Sequence, residues 1–173
     1  MPFIKRISSL LLAVVLTAVP MQLPAADGAK NIESRLQVLE DREAIRVLLI
    51  EYGRTLDARD FKSFSELFAR EAGEWNGGMG IARGPAAIRK LMEDTIGKNT
   101  GGTRPRNFHI FNNETIDVHG DRATALSKWT FVVQDNDGKP QWVYLGHYHD
   151  ILIREAGRWK FLQRKVTSDI PGE

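Results

Sequence analysis

From Asn107 to Ser168 the chain reads as four long β-type runs separated only by turn residues. "NFHIFNNETIDV" gives way to His119-Gly120-Asp121, and "RATALSKWTFVVQ" to Asp135–Gly138. "QWVYLGHYHDILIREAG" then runs into "RWKFLQRKVTS". Strands joined by connections this short must lie side by side and antiparallel, because a parallel return needs a dozen residues or more. Whatever precedes them must cover one face of that meander.

The first half supplies the cover. Ile45, Leu48, Leu49, Tyr52 and Leu56 recur at helical spacing. "DFKSFSELF" reads as a second, short helix with Asp60 as its N-cap. "GEWNGGMGIARG" reads as a small hairpin with Asn76-Gly77-Gly78 as turn material. Pro85 opens a third helix that buries Ile88, Leu91 and Met92. "GKNTGGTRPR" is a glycine-rich loop. Helices first and a meander after them predict an α+β domain: three N-terminal helices packed on a curved, mainly antiparallel sheet.

Residues 1–26 read differently. Lys5 and Arg6 precede the apolar "LLLAVVLTAV" and then small residues at Ala25 and Ala26, the layout of a secretory signal peptide. Expected boundaries are a leader over 1–26, a polar linker over 27–33, a domain over 34–168 and a tail over 169–173. Localisation is then periplasmic or secreted, without stable membrane insertion after cleavage. The chain holds 24 Lys and Arg against 22 Asp and Glu. Lys5 and Arg6 lie in the leader and no acid precedes Asp27, so the mature part balances 22 against 22. Nothing in that balance offers the basic surface that nucleic acid requires. The chain has no cysteine, which removes thiol nucleophiles and Cys-ligated zinc. Neither a phosphate-binding loop nor a dinucleotide fingerprint nor a G-x-S-x-G elbow occurs, and no cofactor is expected.

Asp57 stands where the first helical pattern stops. The negative end of a helix disfavours a carboxylate there, so Asp57 is either a solvated residue past the helix or half-buried against a partner. His109 lies in an apolar strand and by alternation shares a face with Phe111 and Asn113. That makes it either a hydrogen-bonded core or rim residue or a catalyst. His147 and His149 share a strand face in "GHYHD", but two histidines without a third ligand make a weak metal site, and none is assigned.

The element order resembles SnoaL-like proteins of the NTF2-like superfamily, over about residues 34–168. The segments that carry the resemblance are "EAIRVLLIEYGRTLDARDF", "RGPAAIRKLM", "NFHIFNN", "GDRATALS" and "GHYHDILIREAGRWKF". It implies a cone-shaped fold with one cavity, sheet-to-sheet homodimers in some members, and chemistry that varies between members. In SnoaL-like lyases of the scytalone dehydratase, bile-acid 7α-dehydratase and hexachlorocyclohexane dehydrochlorinase types, a histidine at the place of His109 is the family pattern. In the last two types it pairs with an aspartate at the place of Asp57. The resemblance implies that Asp57 accepts the Nδ1–H of His109 and leaves Nε2 as general base. It implies a hydrogen-bonding or acid role for Tyr52 and an anion-stabilising role in the pocket for Arg164. Trp75, Phe131, Tyr148 and Asp150 are the expected substrate-binding residues. A second acid carried by the bile-acid enzymes is absent, since no Asp or Glu occurs from Ala123 to Val133. The expected activity is a cofactor-independent elimination or isomerisation of a small hydrophobic molecule; the alternative is a binding protein for such a molecule.

Overall fold

The computed structural model describes residues 25–97 and 106–172. The leader expected over 1–26 lies outside them up to residue 24, as does most of the glycine-rich loop. Element order is α1 (Ala25–Asp57), α2 (Phe61–Ser65), β1 (Glu74–Gly77), β2 (Gly80–Arg83), α3 (Pro85–Thr95), β3 (Asn107–His119), β4 (Arg122–Gln134), β5 (Pro140–Glu155) and β6 (Arg158–Ile170). Residues 27–33, expected as a linker, continue α1, and Asp169 and Ile170 continue β6. Asn76 and Gly77 belong to β1, where Gly77 pairs with Gly80 and leaves a two-residue turn at Gly78 and Met79. Asp60 caps α2 by accepting the Ser63 N–H at 3.1 Å. Among the described residues, no helix is long and apolar enough to cross a membrane.

The six strands form one sheet in the order β2-β1-β6-β5-β4-β3. β1 runs parallel to β6 and every other pairing is antiparallel. The helices cover one face. Ile45, Leu49 and Tyr52 of α1, with Ile88 and Met92 of α3, pack into a core with Trp129, Tyr148, Leu152 and Phe161 of the sheet. Such burial is the main stabilising term of a domain this size.

Bulges decide which side chains reach that core. In β3 the register shifts between Asn112 and Thr115, and Asn113 sits at φ +53°. Asparagine tolerates this left-handed conformation better than most residues. Before the bulge Asn107, His109 and Phe111 turn inward; after it Ile116 and Val118 do. Asn113 is exposed and leaves the face that strict alternation assigns it. In β6, Phe161 pairs with Leu152 and Gln163 with Ile151, so Leu162 is the extra residue. Phe161 and Arg164 therefore share the inner face, whereas unbroken alternation sets them on opposite faces.

At the end of the sheet remote from His109, Asp41 ties α1 down. It is 5% exposed and accepts from Arg154 Nη2 at 2.6 Å and Trp159 Nε1 at 3.2 Å. Burial alone would raise its pKa, but the bonds from Arg154 and Trp159 outweigh burial and hold it below the ordinary value. A depressed folded pKa contributes stability that is complete above the unfolded value of about 3.9 and is lost as pH falls through the folded one. Thermal melts of wild type and Asp41→Asn should therefore differ most at neutral pH and converge below about pH 4. A gap that stays constant down to pH 2 would show that ionisation of Asp41 contributes nothing.

Candidate functional site

α1 ends abruptly, and that ending builds the site. The Asp60 N–H donates to Thr55 O at 2.9 Å and the Arg59 N–H to Leu56 O at 3.0 Å, the two bonds of a Schellman motif. Arg59 occupies the left-handed position at φ +55°, where glycine is usual and another residue costs about 1–2 kcal/mol. Its guanidinium reaches the carbonyls of Ile96 and Gly97 and so links the ends of α1 and α3. Asp57 is thus the last helical residue, turned toward β3.

Three donors converge on its carboxylate. His109 Nδ1 lies 2.6 Å from Oδ1, the His109 backbone N–H donates to Oδ2 at 2.9 Å, and Asn107 Nδ2 donates to Oδ1 at 2.6 Å. These donors compensate the unfavourable helix end. An ionised carboxylate only accepts, so Nδ1 is the ring nitrogen that donates to Asp57, and Nε2 takes no part in that bond. The imidazole packs against Phe131 with centroids 4.6 Å apart.

His109, Asn107 and Arg59 line a cavity of about 610 Å³ together with Tyr52, Trp75, Trp129, Phe131, Tyr144 and Tyr148. The Tyr52 hydroxyl accepts the Trp75 indole N–H at 2.9 Å. Burial pushes the Tyr52 phenol above its ordinary pKa, against the pull of the nearby Arg164 cation, so it stays neutral and keeps an O–H to donate. Trp75, Phe131 and Tyr148, expected from the sequence to bind substrate, line the cavity.

Arg164 and Asp150 do not line it. Arg164 Nε and Nη2 each donate to Asp150 at 2.7 Å, and both side chains are fully buried. The guanidinium stacks on Tyr52, Tyr148 and Phe161 at 4.0, 4.2 and 4.2 Å. Its Nη1 has no hydrogen-bond partner among the described residues, and the π faces supply the compensating negative charge. The pair forms a layer behind two cavity walls, whereas the sequence reading set Arg164 in the pocket and gave Asp150 to the substrate. Sequence reasoning missed Asn107 and Arg59. Alternation does place Asn107 on the face of His109, but nothing in an amide announces that it holds a carboxylate fifty residues away. His147 bonds Asp169 at 2.9 Å on the opposite sheet face, and among the described residues no cluster of three or more His, Cys, Asp or Glu could hold a metal.

A sequence profile of SnoaL-like domains matches residues 37–165. The chain belongs to the SnoaL-like domain family. No curated protein matches the sequence. Among solved structures, this SnoaL-like domain is similar to an NTF2-like protein with a cystatin-like fold from Novosphingobium aromaticivorans, at 28% identity and a TM-score of 0.69, over 82% of this chain and 90% of that one. A provisionally assigned scytalone dehydratase from the same organism is 24% identical, with a TM-score of 0.62 over 75% and 85% of the two chains. A protein from Catenulispora acidiphila, solved in complex with S-DNPA, is 19% identical, with a TM-score of 0.66 over 77% and 96%. The last two likenesses establish the NTF2-like fold and nothing further.

Proposed function

We propose that this SnoaL-like domain is an exported, cofactor-independent lyase of the dehydratase type, or an isomerase, acting on a small hydrophobic molecule. One observation carries the reading: an imidazole oriented by a carboxylate at 2.6 Å in the wall of a mostly aromatic cavity of about 610 Å³. His109 Nε2 takes a proton from a carbon acidified by a neighbouring carbonyl. Asp57 stabilises the imidazolium that forms. Tyr52 donates its O–H to the developing enolate oxygen or to the leaving hydroxyl. In elimination the C–H and C–O bonds break and the leaving oxygen departs protonated; in isomerisation the same proton returns to another carbon. Asn107 keeps Asp57 in place, and Arg164 with Asp150 hold Tyr52 and Tyr148 from behind.

The test is incubation in D₂O with a panel of β-hydroxy and β,γ-unsaturated carbonyl compounds on aromatic or alicyclic skeletons. Loss of water, a shifted double bond or deuterium at the α-carbon supports a base. Ligands that bind and return unlabelled and unchanged across the panel would reassign the cavity to binding alone.

A further inference from the structure

α1 is apolar on two opposite sides. Asp41, Ile45, Leu48, Leu49 and Tyr52 turn toward the sheet and are buried. Ile32, Leu36, Leu39, Val47 and Ile50 follow one another at i, i+4, i+7, i+15 and i+18, which returns them to a single line on the far side. They are 66, 53, 61, 48 and 53% exposed. Glu43 is the one polar residue in that line, and Arg46 holds it at 2.7 Å. A helix on a domain surface normally keeps its outer side polar. This outer stripe runs about 27 Å, and between Asn31 and Gln37 every residue is exposed, so the helix projects from the domain.

The charges beside the stripe are sorted by sign. Helical spacing puts Glu33 and Glu40 along one flank and Arg35 and Arg42 along the other, while farther along Arg46 already holds Glu114 and Glu51 already accepts from Arg54. Consider two copies of this helix face to face. A two-fold axis parallel to the helices brings the acidic flank of each against the basic flank of the other. A two-fold axis across them brings acid to acid and base to base. Spacing agrees: Arg35 stands five residues before Glu40, the offset at which flanking residues pair between parallel helices. A membrane surface is a poorer occupant, because interfacial helices carry Lys and Arg on both borders of the apolar side.

We propose that the outer stripe of α1 packs against the same stripe of a second copy of this chain, with the two helices parallel and in register. The contact is isologous and separate from the outer sheet face that carries Phe108, Ile110, Leu126 and Ile151.

The chain has no cysteine, so single-cysteine variants report the pairing directly. In the full chain under mild oxidation, Ile32→Cys, Leu39→Cys and Ile50→Cys should each form a disulfide dimer, since a parallel in-register pair sets every position beside its own copy. Cross-linking at only one of the three would mean an antiparallel crossing, and at none would mean no helix pairing; either overturns the proposal. A second arm reverses charge on exposed residues. Arg35→Glu with Arg42→Glu makes both flanks acidic and should cut the Leu39→Cys cross-linking rate at least tenfold. Mixing that chain with one carrying Glu33→Arg and Glu40→Arg, also with Leu39→Cys, should restore it. An unchanged rate in the first variant alone would overturn the charge argument that selects the parallel pair.

Discussion

Replacing His109 by alanine is expected to lower turnover about 10²–10⁴-fold and to leave the domain folded. On the proposed mechanism, the loss follows from removing the imidazole that lies 2.6 Å from Asp57 in the cavity wall. The fold survives because Asp57 is not stranded: the backbone N–H of residue 109 and the Asn107 amide still donate to it, at 2.9 and 2.6 Å. What disappears is one charge-assisted hydrogen bond and the contact with Phe131, both near the cavity wall. Asp57→Asn should cost a comparable factor by another route. An amide in place of the carboxylate presents an N–H₂ toward Nδ1 and favours the tautomer with its proton on Nε2, which cannot then act as the base. Two readouts separate the routes. Nitrogen-15 NMR of the His109 ring should report Nδ1–H in wild type and a shifted tautomer in Asp57→Asn. Normal turnover in His109→Ala would end the general-base assignment, whatever the tautomer.

The largest effect on stability is expected at Asp150. Alanine there leaves the Arg164 guanidinium buried with no counter-ion, and breaking a buried pair from one side typically costs about 3–5 kcal/mol. The three rings around Arg164 cannot make good the loss, since a cation–π contact contributes about 2 kcal/mol when desolvated and those contacts already exist. Asp150→Ala combined with Arg164→Met should recover most of the deficit, because no unpaired charge remains and methionine fills much of the space. Urea unfolding of the single and double variants checks this. A single variant within about 1 kcal/mol of wild type would show that the pair holds nothing. Because the guanidinium stacks on Tyr52 and Tyr148, the single variant should also loosen two cavity walls and weaken ligand binding before it unfolds.

Much of the architecture was legible in the residues. Turn segments of a few residues dictated an antiparallel meander, since geometry allows them nothing else. The stripe from Ile45 to Leu56 dictated a helix with one buried side, and Asp60 dictated where the next helix starts. Asp57 could be singled out because a carboxylate at a helix end needs a reason. The second apolar side of α1 was equally present in the sequence, but a buried stripe and an exposed one look alike until the sheet occupies one of them.

Tertiary structure decided the rest, and the bulges show why. Alternation is a local rule with a period of two, so one extra residue reverses every face beyond it. Nothing around Leu162 or Asn113 states that a residue is to be skipped; the mismatch between neighbouring strands of a curved sheet does. Through Leu162, Arg164 joins Phe161 on the inner side and meets Asp150. Through the three donors gathered on its carboxylate, Asp57 becomes the partner of His109. The sequence by itself determined where most of the helices and strands lie and which residues could do acid–base chemistry, because those properties belong to single residues and their near neighbours. Only the fold determined who meets whom, because a hydrogen bond between residues fifty-two positions apart depends on where the whole sheet carries them.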